Sequence, residues 1–177
     1  MSAGLPETLS RSLAEPIDVS AGRIAMRVVY SDTDAMGVIY HARYLDLAER
    51  SRTSLMLAAG LDLAEIEQDF GLLLMVNRLS ADYRMAARLH DMAEIHTAIL
   101  RRTAAQITWR SAITTQAGLC ATVDVSTVCY SREQTNPVPI PPTLVDACTR
   151  LPHIAEGMGR LDFVIAGSTH PTSPSGA

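Results

Sequence analysis

Long hydrophobic runs, aromatic residues and paired cysteines are all sparse in this sequence of 177 residues. Its apolar runs, such as residues 72–76, are far shorter than the ~20 residues that a membrane-spanning helix needs. Residues 1–20 contain charges and two prolines without a hydrophobic stretch, which is unlike a secretory signal. The three cysteines are an odd number without ligand-like spacing, so we expect neither a disulfide framework nor a metal cluster. These absences predict a cytoplasmic protein that does not insert into membranes.

An excess of basic residues is absent as well, because the formal net charge is −4. Without a basic stripe or interleaved basic and aromatic residues, nucleic acid is not an expected partner. A phosphate-bearing ligand would need a local cluster of arginines. What the sequence does contain, 47% hydrophobic and 19% charged residues, is typical of a globular protein. The length favours a single domain.

The chain is organised as one domain between two extensions. Residues 1–22 are small, polar and interrupted by prolines, which predicts a flexible N-terminal arm. We place the domain at residues 23–151. The C-terminal extension, residues 152–177, ends in the low-complexity stretch STHPTSPSGA and is expected to be largely disordered.

Within the domain, the hydrophobic spacing predicts a strand, a long helix, a short helix and then four strands. The long helix is expected from Tyr40 or His41 to about Gly60. Its inner face carries small side chains and consists of Tyr44, Ala48, Ser51, Leu55 and Ala58. The predicted strands are residues 23–30, 72–85, 92–102, 105–115 and 120–130, and further helices begin near Asp62 and Thr143. Helices on one face of an antiparallel sheet define the α+β class, and dimerisation would cover the free edge of the sheet.

The stretch YSDTDAMGVIYHARYLDLAER, residues 30–50, concentrates ionisable groups where the first strand hands over to the long helix. Asp32 and Asp34 could simply cap that helix, since aspartate is common before helices. Asp34, however, lies six residues before the expected helix start, which is too far for a cap. Gly37 allows a sharp turn or a close approach to a ligand. These two features favour a functional role for the junction.

A helix N-terminus presents unpaired N–H groups that can stabilise an oxyanion. A carboxylate facing such a terminus indicates acyl transfer to water, with Asp34 as nucleophile or as the base that activates water. Water would then be the second substrate, so no metal or organic cofactor is expected. The isolated histidines His90, His96, His153 and His170 do not form a metal-ligand cluster.

These residues resemble the signature of the hot-dog-fold acyl-CoA thioesterases of the 4-hydroxybenzoyl-CoA thioesterase family, and specifically the Tol-Pal-associated branch. The matching positions are Tyr30, Asp32, Asp34, Gly37, Val38, Tyr40, His41, Tyr44 and Glu49. A weaker resemblance lies in VNRLSADYRMAARLHDMAEI, and together the two cover about residues 24–150. The resemblance implies an antiparallel sheet wrapped around one long central helix, in a homodimer or homotetramer with active sites across the dimer interface.

The resemblance also implies roles for individual residues. Asp34 would be the catalytic carboxylate, His41 would orient water or the carbonyl, and Tyr30 would lie near the site, while Asp32 would hold the loop. Backbone N–H groups around Tyr40 and His41 would polarise the thioester carbonyl, and Gly37, Val38, Tyr40 and Glu49 would contribute to the oxyanion and substrate-binding region. Glu49 could equally form only an i, i+3 surface pair with Arg52. Family members often have glycine at the position of Met36. The larger methionine side chain would narrow the entrance for the acyl group.

Four arginines are candidates for binding the phosphates of coenzyme A, because guanidinium groups bind phosphate bidentately. They are Arg84, Arg88, Arg101 and Arg102. The alternative is that each is a solvated charge at the edge of the sheet. The function predicted from all these residues is hydrolysis of an acyl-CoA to free acid and coenzyme A. Two other functions of the same fold stay open, namely an acyl-CoA-binding sensor and a dehydratase acting on acyl-CoA or acyl-carrier protein.

Overall fold

The computed structural model describes residues 22–154, and the two predicted extensions lie largely outside them. Five strands and three helices of the described residues follow one another in the predicted order, with one additional short strand, β6. The elements are β1 (Arg23–Arg27), α1 (Arg43–Ala58), α2 (Leu63–Phe70), β2 (Leu72–Tyr83), β3 (Met92–Arg102), β4 (Gln106–Thr115), β5 (Gly118–Ser131), β6 (Asn136–Pro137) and α3 (Pro142–Cys148). A 3-10 turn, Tyr30–Asp32, lies between β1 and α1.

One antiparallel sheet forms the body of the domain, with the strand order β1-β3-β4-β5-β2 and with β6 paired to β5. Helix α1 packs against β3, β4 and β5, so the sheet curves around it. The core at the N-terminal half of α1 includes Tyr44, Leu47, Ile95, Ile113 and Val123. This arrangement confirms the α+β class and the hot-dog fold.

Helix α1 begins at Arg43, later than the predicted start at Tyr40 or His41. The reason is a hydrogen bond outside the helix, in which the Tyr40 N–H donates to the Asp32 carbonyl (2.9 Å) and holds residue 40 in the preceding loop. The predicted inner face is correct for its first four members, while Ala58 is exposed and Ala59 is buried in its place.

Small polar residues allow α1 to lie close to the sheet, as expected. The Ser51 hydroxyl on α1 lies 2.8 Å from the Thr97 hydroxyl on β3, which lies 2.8 Å from the Ser111 hydroxyl on β4. All three side chains are buried. This hydroxyl chain, Ser51–Thr97–Ser111, satisfies the polar groups that the close approach removes from water.

The packed domain is slightly longer than the predicted residues 23–151. Gly22 is buried, and its carbonyl accepts a hydrogen bond from the Thr97 N–H (2.7 Å). At the other end, the Ile99 N–H donates to the Pro152 carbonyl and the Ile154 N–H donates to the Ile99 carbonyl. Residues 152–154 therefore continue the edge of the sheet beside β1, and are not part of a disordered extension.

Candidate active site

The loop between the 3-10 turn and α1 forms a small two-stranded ladder of its own. Thr33 pairs with Ile39, and Val38 pairs with Arg88. The Asp34 N–H donates to the Val38 carbonyl (3.0 Å), and the buried Ile39 side chain anchors the ladder in the core. The loop is thus a defined structure with a turn at its tip.

Asp34 lies at the start of that turn. Its Oδ1 accepts a hydrogen bond from the Met36 N–H (2.8 Å), and its carbonyl accepts one from the Gly37 N–H (3.0 Å). Gly37 has a φ of 71°, which favours glycine, and open space surrounds the position of an added Cβ. Within residues 22–154, the second carboxylate oxygen of Asp34 has no hydrogen-bond donor. The partly exposed carboxylate is therefore held through one oxygen and free at the other.

Both carboxylate oxygens of Asp32 accept hydrogen bonds. Its Oδ2 accepts from the Val29 N–H (3.0 Å), and its Oδ1 accepts from the Arg43 guanidinium, 2.9 Å away at the closer nitrogen. Arg43, the first residue of α1, also pairs with Asp46. The hydrogen bond to Asp32, with the two negative charges nearby, raises the pKa of Arg43 above its ordinary value. The prediction that Asp32 holds the loop is confirmed.

Of the two predicted backbone donors at the start of α1, Tyr40 and His41, only His41 has a free N–H group. The Tyr40 N–H is already used by the Asp32 carbonyl, so it is not available to polarise a substrate carbonyl. The N–H groups of the next two residues, His41 and Ala42, have no acceptor in the described part of the chain. A helix N-terminus leaves such donors unpaired. The free donors are thus His41 and Ala42, one and two positions later than Tyr40.

Aromatic side chains surround this helix start. The Tyr83 hydroxyl, at the end of β2, donates to the His41 carbonyl (3.0 Å). The Tyr83 ring lies edge-on to the rings of Tyr44 (centroids 5.6 Å apart) and His41 (6.5 Å), and the Tyr40 ring lies 4.3 Å from that of His41. Burial raises the pKa of Tyr44 above its ordinary value, so its hydroxyl remains protonated. Sequence reasoning missed Tyr83, because only the end of β2 beside the loop brings it there.

Two other predicted site residues lie at the periphery. Tyr30 is 77% exposed, and its ring lies edge-on to that of His90, 6.1 Å away. Glu49 forms the predicted pair with Arg52 and also accepts a hydrogen bond from the Thr53 hydroxyl (3.3 Å). Arg52 is the buried partner, and burial lowers its pKa while the Glu49 charge opposes that shift. Both carboxylate oxygens of Glu49 are therefore engaged within α1.

The four arginines that are candidates for binding the coenzyme A phosphates do not form one cluster. Arg88 pairs with Val38 of the loop, and Arg84 follows directly after β2 at the same end of the sheet. Arg101 and Arg102 are the last residues of β3, a strand of 11 residues. At ~3.3 Å per residue, that strand places them roughly 30 Å from the loop. Of the four candidates, only Arg84 and Arg88 lie at the end of the sheet that contains Asp34 of the same chain.

A cavity of about 330 Å³ lies on the other side of the same loop, between β1 and the flank of α1. Asp32, Arg43 and Arg50 line it, whereas Asp34 and His41 do not. The exposed side chains of Met36, Tyr40 and Tyr83 lie outside this cavity.

Residues 22–154 contain no group of three or more histidine, cysteine, aspartate or glutamate side chains placed to hold a metal ion. Among the same residues, no helix combines the length and the apolar character that crossing a membrane requires.

Comparison with known proteins gives consistent relatives. A family model described as the thioesterase-like superfamily matches residues 28–148. Acyl-CoA thioesterase YbgC of Haemophilus influenzae is 31% identical over 116 residues, which are 66% of this chain and 85% of that protein. Acyl-CoA thioester hydrolase YbgC of Escherichia coli O157:H7 is 32% identical over 125 residues, covering 70% of this chain and 92% of that protein. A solved 1,4-dihydroxy-2-naphthoyl-CoA thioesterase from Synechocystis has a TM-score of 0.67 at 22% identity, over 72% of this chain and 94% of that one, and this likeness concerns the fold.

Proposed function

Because the chain belongs to the thioesterase-like superfamily, we propose that it hydrolyses the thioester of an acyl-CoA to free acid and coenzyme A, with Asp34 as the catalytic carboxylate. The observation that carries the proposal is the pairing of a half-free carboxylate with unpaired backbone donors. Asp34 has one oxygen held by the Met36 N–H and one free, and the loop it begins ends at the free N–H groups of His41 and Ala42.

The reaction follows from these groups. The thioester carbonyl oxygen accepts hydrogen bonds from the His41 and Ala42 N–H groups, which stabilise the negative charge that develops on it. Either Asp34 attacks the carbonyl carbon, giving an anhydride that water then hydrolyses, or it removes a proton from the water that attacks. In both routes the C–S bond breaks and the coenzyme A thiolate leaves and takes up a proton. The exposed imidazole of His41, beside the donors, orients the attacking water or the carbonyl.

A homodimer is the proposed working unit. The outer edge of β2 has no strand partner among residues 22–154, although its other edge pairs along its whole length with β5. Large apolar side chains on this edge strand are exposed, namely Met75, Val76, Leu79 and Tyr83. An unpaired apolar edge of this kind favours pairing with another strand. A second copy pairing through β2 would also cover the open surface beside Asp34, and a homotetramer would be two such dimers.

Arg84 and Arg88 are the proposed partners of the coenzyme A phosphates, because both are exposed at the end of the sheet that carries the loop. The chain itself supplies every group that the mechanism uses, so the proposal includes no metal or organic cofactor. The described cysteines are free thiols, which fits the proposed cytoplasmic location.

The test is release of free thiol from a panel of aliphatic and aromatic acyl-CoAs. We expect hydrolysis of at least one substrate by the wild type and a loss of about 10³-fold or more in kcat for Asp34→Asn, since the nucleophile or base is removed. Asp69→Asn on α2 is the matched control, because it makes the same change at an exposed residue outside the loop.

Three outcomes would contradict the proposal. Full activity of Asp34→Asn would remove the mechanism. Binding of several acyl-CoAs without cleavage would favour the sensor function. Conversion of 3-hydroxyacyl-CoA to the unsaturated product without thiol release would favour the dehydratase. In single-turnover hydrolysis in ¹⁸O-labelled water, label in Asp34 would establish the anhydride route with water attacking the Asp34 carbonyl carbon, because the general-base route places label only in the product acid.

A further inference from the structure

The hydroxyl of Tyr83 is bonded to the peptide group that carries one of the free donors. It donates to the His41 carbonyl at 3.0 Å. That carbonyl and the Ala42 N–H belong to the same planar, trans peptide unit, in which C=O and N–H point in opposite directions. Fixing the direction of the His41 carbonyl therefore fixes the direction in which the Ala42 N–H points.

The segment is anchored from the opposite side as well. The Tyr40 N–H donates to the Asp32 carbonyl at 2.9 Å, one residue before His41. The residues that present the donors are thus tied to the loop through Asp32 and to the end of β2 through Tyr83. Along the backbone, the His41 N–H lies between these two hydrogen-bonded groups, and the Ala42 N–H directly follows the second one.

Tyr83 is itself held in place although it is 48% exposed. Its ring lies edge-on to the buried ring of Tyr44, with centroids 5.6 Å apart. The Tyr44 hydroxyl in turn accepts a hydrogen bond from the Ala87 N–H at 3.1 Å. Tyr83 is the last residue of β2, and its ring packs against the fixed phenol ring of Tyr44. The Tyr83 hydroxyl is therefore held rigidly where it donates to the His41 carbonyl.

The bond also affects the strength of the donor. A carbonyl that accepts a hydrogen bond polarises its own peptide unit, and the N–H at the other end becomes a better donor, by roughly 10–30% per bond in condensed-phase estimates. The effect increases when negative charge develops on the group that the N–H faces. The hydroxyl of Tyr83 is therefore expected to matter more for the transition state than for the bound substrate.

We propose that Tyr83 is a positioning residue for thioester hydrolysis, which orients and strengthens the Ala42 N–H as an oxyanion donor through the His41–Ala42 peptide. The inference rests on the proposed function, because it assigns a role within that active site. It adds a residue from the end of β2 to a site otherwise built from the loop and the start of α1.

The test is Tyr83→Phe, which keeps the ring and removes only the hydroxyl. We expect kcat to fall about tenfold, while KM changes by less than about twofold and the melting temperature stays close to that of the wild type. Tyr130→Phe is the matched control, because the Tyr130 hydroxyl has no hydrogen-bond partner among the described residues. It is expected to leave kcat and KM unchanged.

A spectroscopic measurement separates orientation of the donors from general damage. Acyl-CoA labelled with ¹³C at the carbonyl is bound to Asp34→Asn, which does not turn it over, and its infrared carbonyl band is compared with that of the free substrate. The donors should lower the band frequency, and the added Tyr83→Phe substitution should return part of that shift.

The possible outcomes distinguish a failure of the proposed thioesterase function from a failure of the proposed role of Tyr83. A wild type that cleaves no acyl-CoA overturns the proposed function itself. An active wild type with an equally active Tyr83→Phe variant overturns only the role of Tyr83. A variant that loses stability, or raises KM as much as it lowers kcat, with the carbonyl band unchanged, assigns Tyr83 a merely structural role and likewise overturns the inference.

Discussion

Replacement of Thr97 by valine tests how α1 is held against the sheet. Thr97 is the central member of the hydroxyl chain and lies 2.8 Å from both the Ser51 and the Ser111 oxygens. It is completely buried, as is Ser51. Valine has nearly the same shape, so the change leaves packing in place and removes only the shared partner. Two buried hydroxyls then lose a hydrogen bond.

The magnitude follows from what each hydroxyl can do next. Ser51 lies on α1 and can turn to the carbonyl four residues earlier in the helix. Ser111 lies on β4 with no such alternative, and a buried unsatisfied hydroxyl costs about 1–3 kcal/mol. We therefore expect Thr97→Val to lower the free energy of unfolding by about 1–3 kcal/mol. For a domain of this size that corresponds to a decrease of roughly 2–10 °C in melting temperature.

Urea unfolding at fixed protein concentration measures this change, and the m-value should stay that of the wild type. The triple variant Ser51→Ala, Thr97→Val, Ser111→Ala is the informative control, because it removes all three polar groups together. We expect it to be more stable than Thr97→Val alone. A single variant as stable as the wild type, or a triple variant less stable than the single one, would show that the hydroxyl chain does not stabilise the domain.

Two further predictions concern reactivity and assembly. Burial raises the pKa of every described cysteine, and these are Cys120, Cys129 and Cys148. At pH 8 these thiols are less ionised than the thiol of a free cysteine, so the native protein should react with a disulfide reagent far more slowly than the protein in guanidinium chloride. Fast labelling of the native state would contradict this prediction. Leu79→Lys places a charge on the exposed apolar edge strand and should shift sedimentation from dimer to monomer, whereas Gln68→Lys on α2 should not; a dimeric Leu79→Lys would exclude the β2 edge as the interface.

The order of the elements could be predicted because each depends on local patterns. The alternation of apolar residues in β3 predicted its bounds, Met92–Arg102, as the structure has them. A helix was predicted to begin near Asp62, and the Asp62 carboxylate caps α2 by accepting a hydrogen bond from the Ala64 N–H (2.8 Å). Such features involve residues a few positions apart, where spacing alone determines the geometry.

The start of α1 could not be predicted, because it depends on a contact that spacing does not show. Periodicity extends back to Tyr40, but the Tyr40 N–H pairs with Asp32, eight residues earlier, in the ladder of the loop. The free N–H groups are accordingly those of His41 and Ala42, whereas the prediction named Tyr40 and His41. An error of two or three residues in a helix boundary is usually unimportant, but here it changes which N–H groups are free to bind an oxyanion.

Two kinds of sequence information are therefore needed to predict the proposed active site. The proposed reactive groups, Asp34 and the helix start, lie within one continuous stretch and can be recognised there. Their alignment depends on Asp32 on one side and on Tyr83, 42 residues beyond His41, on the other. Tyr83 reaches the loop only because β2 ends beside it. A motif can thus identify the chemistry of this site, while the register of the sheet determines whether its donors point at a substrate.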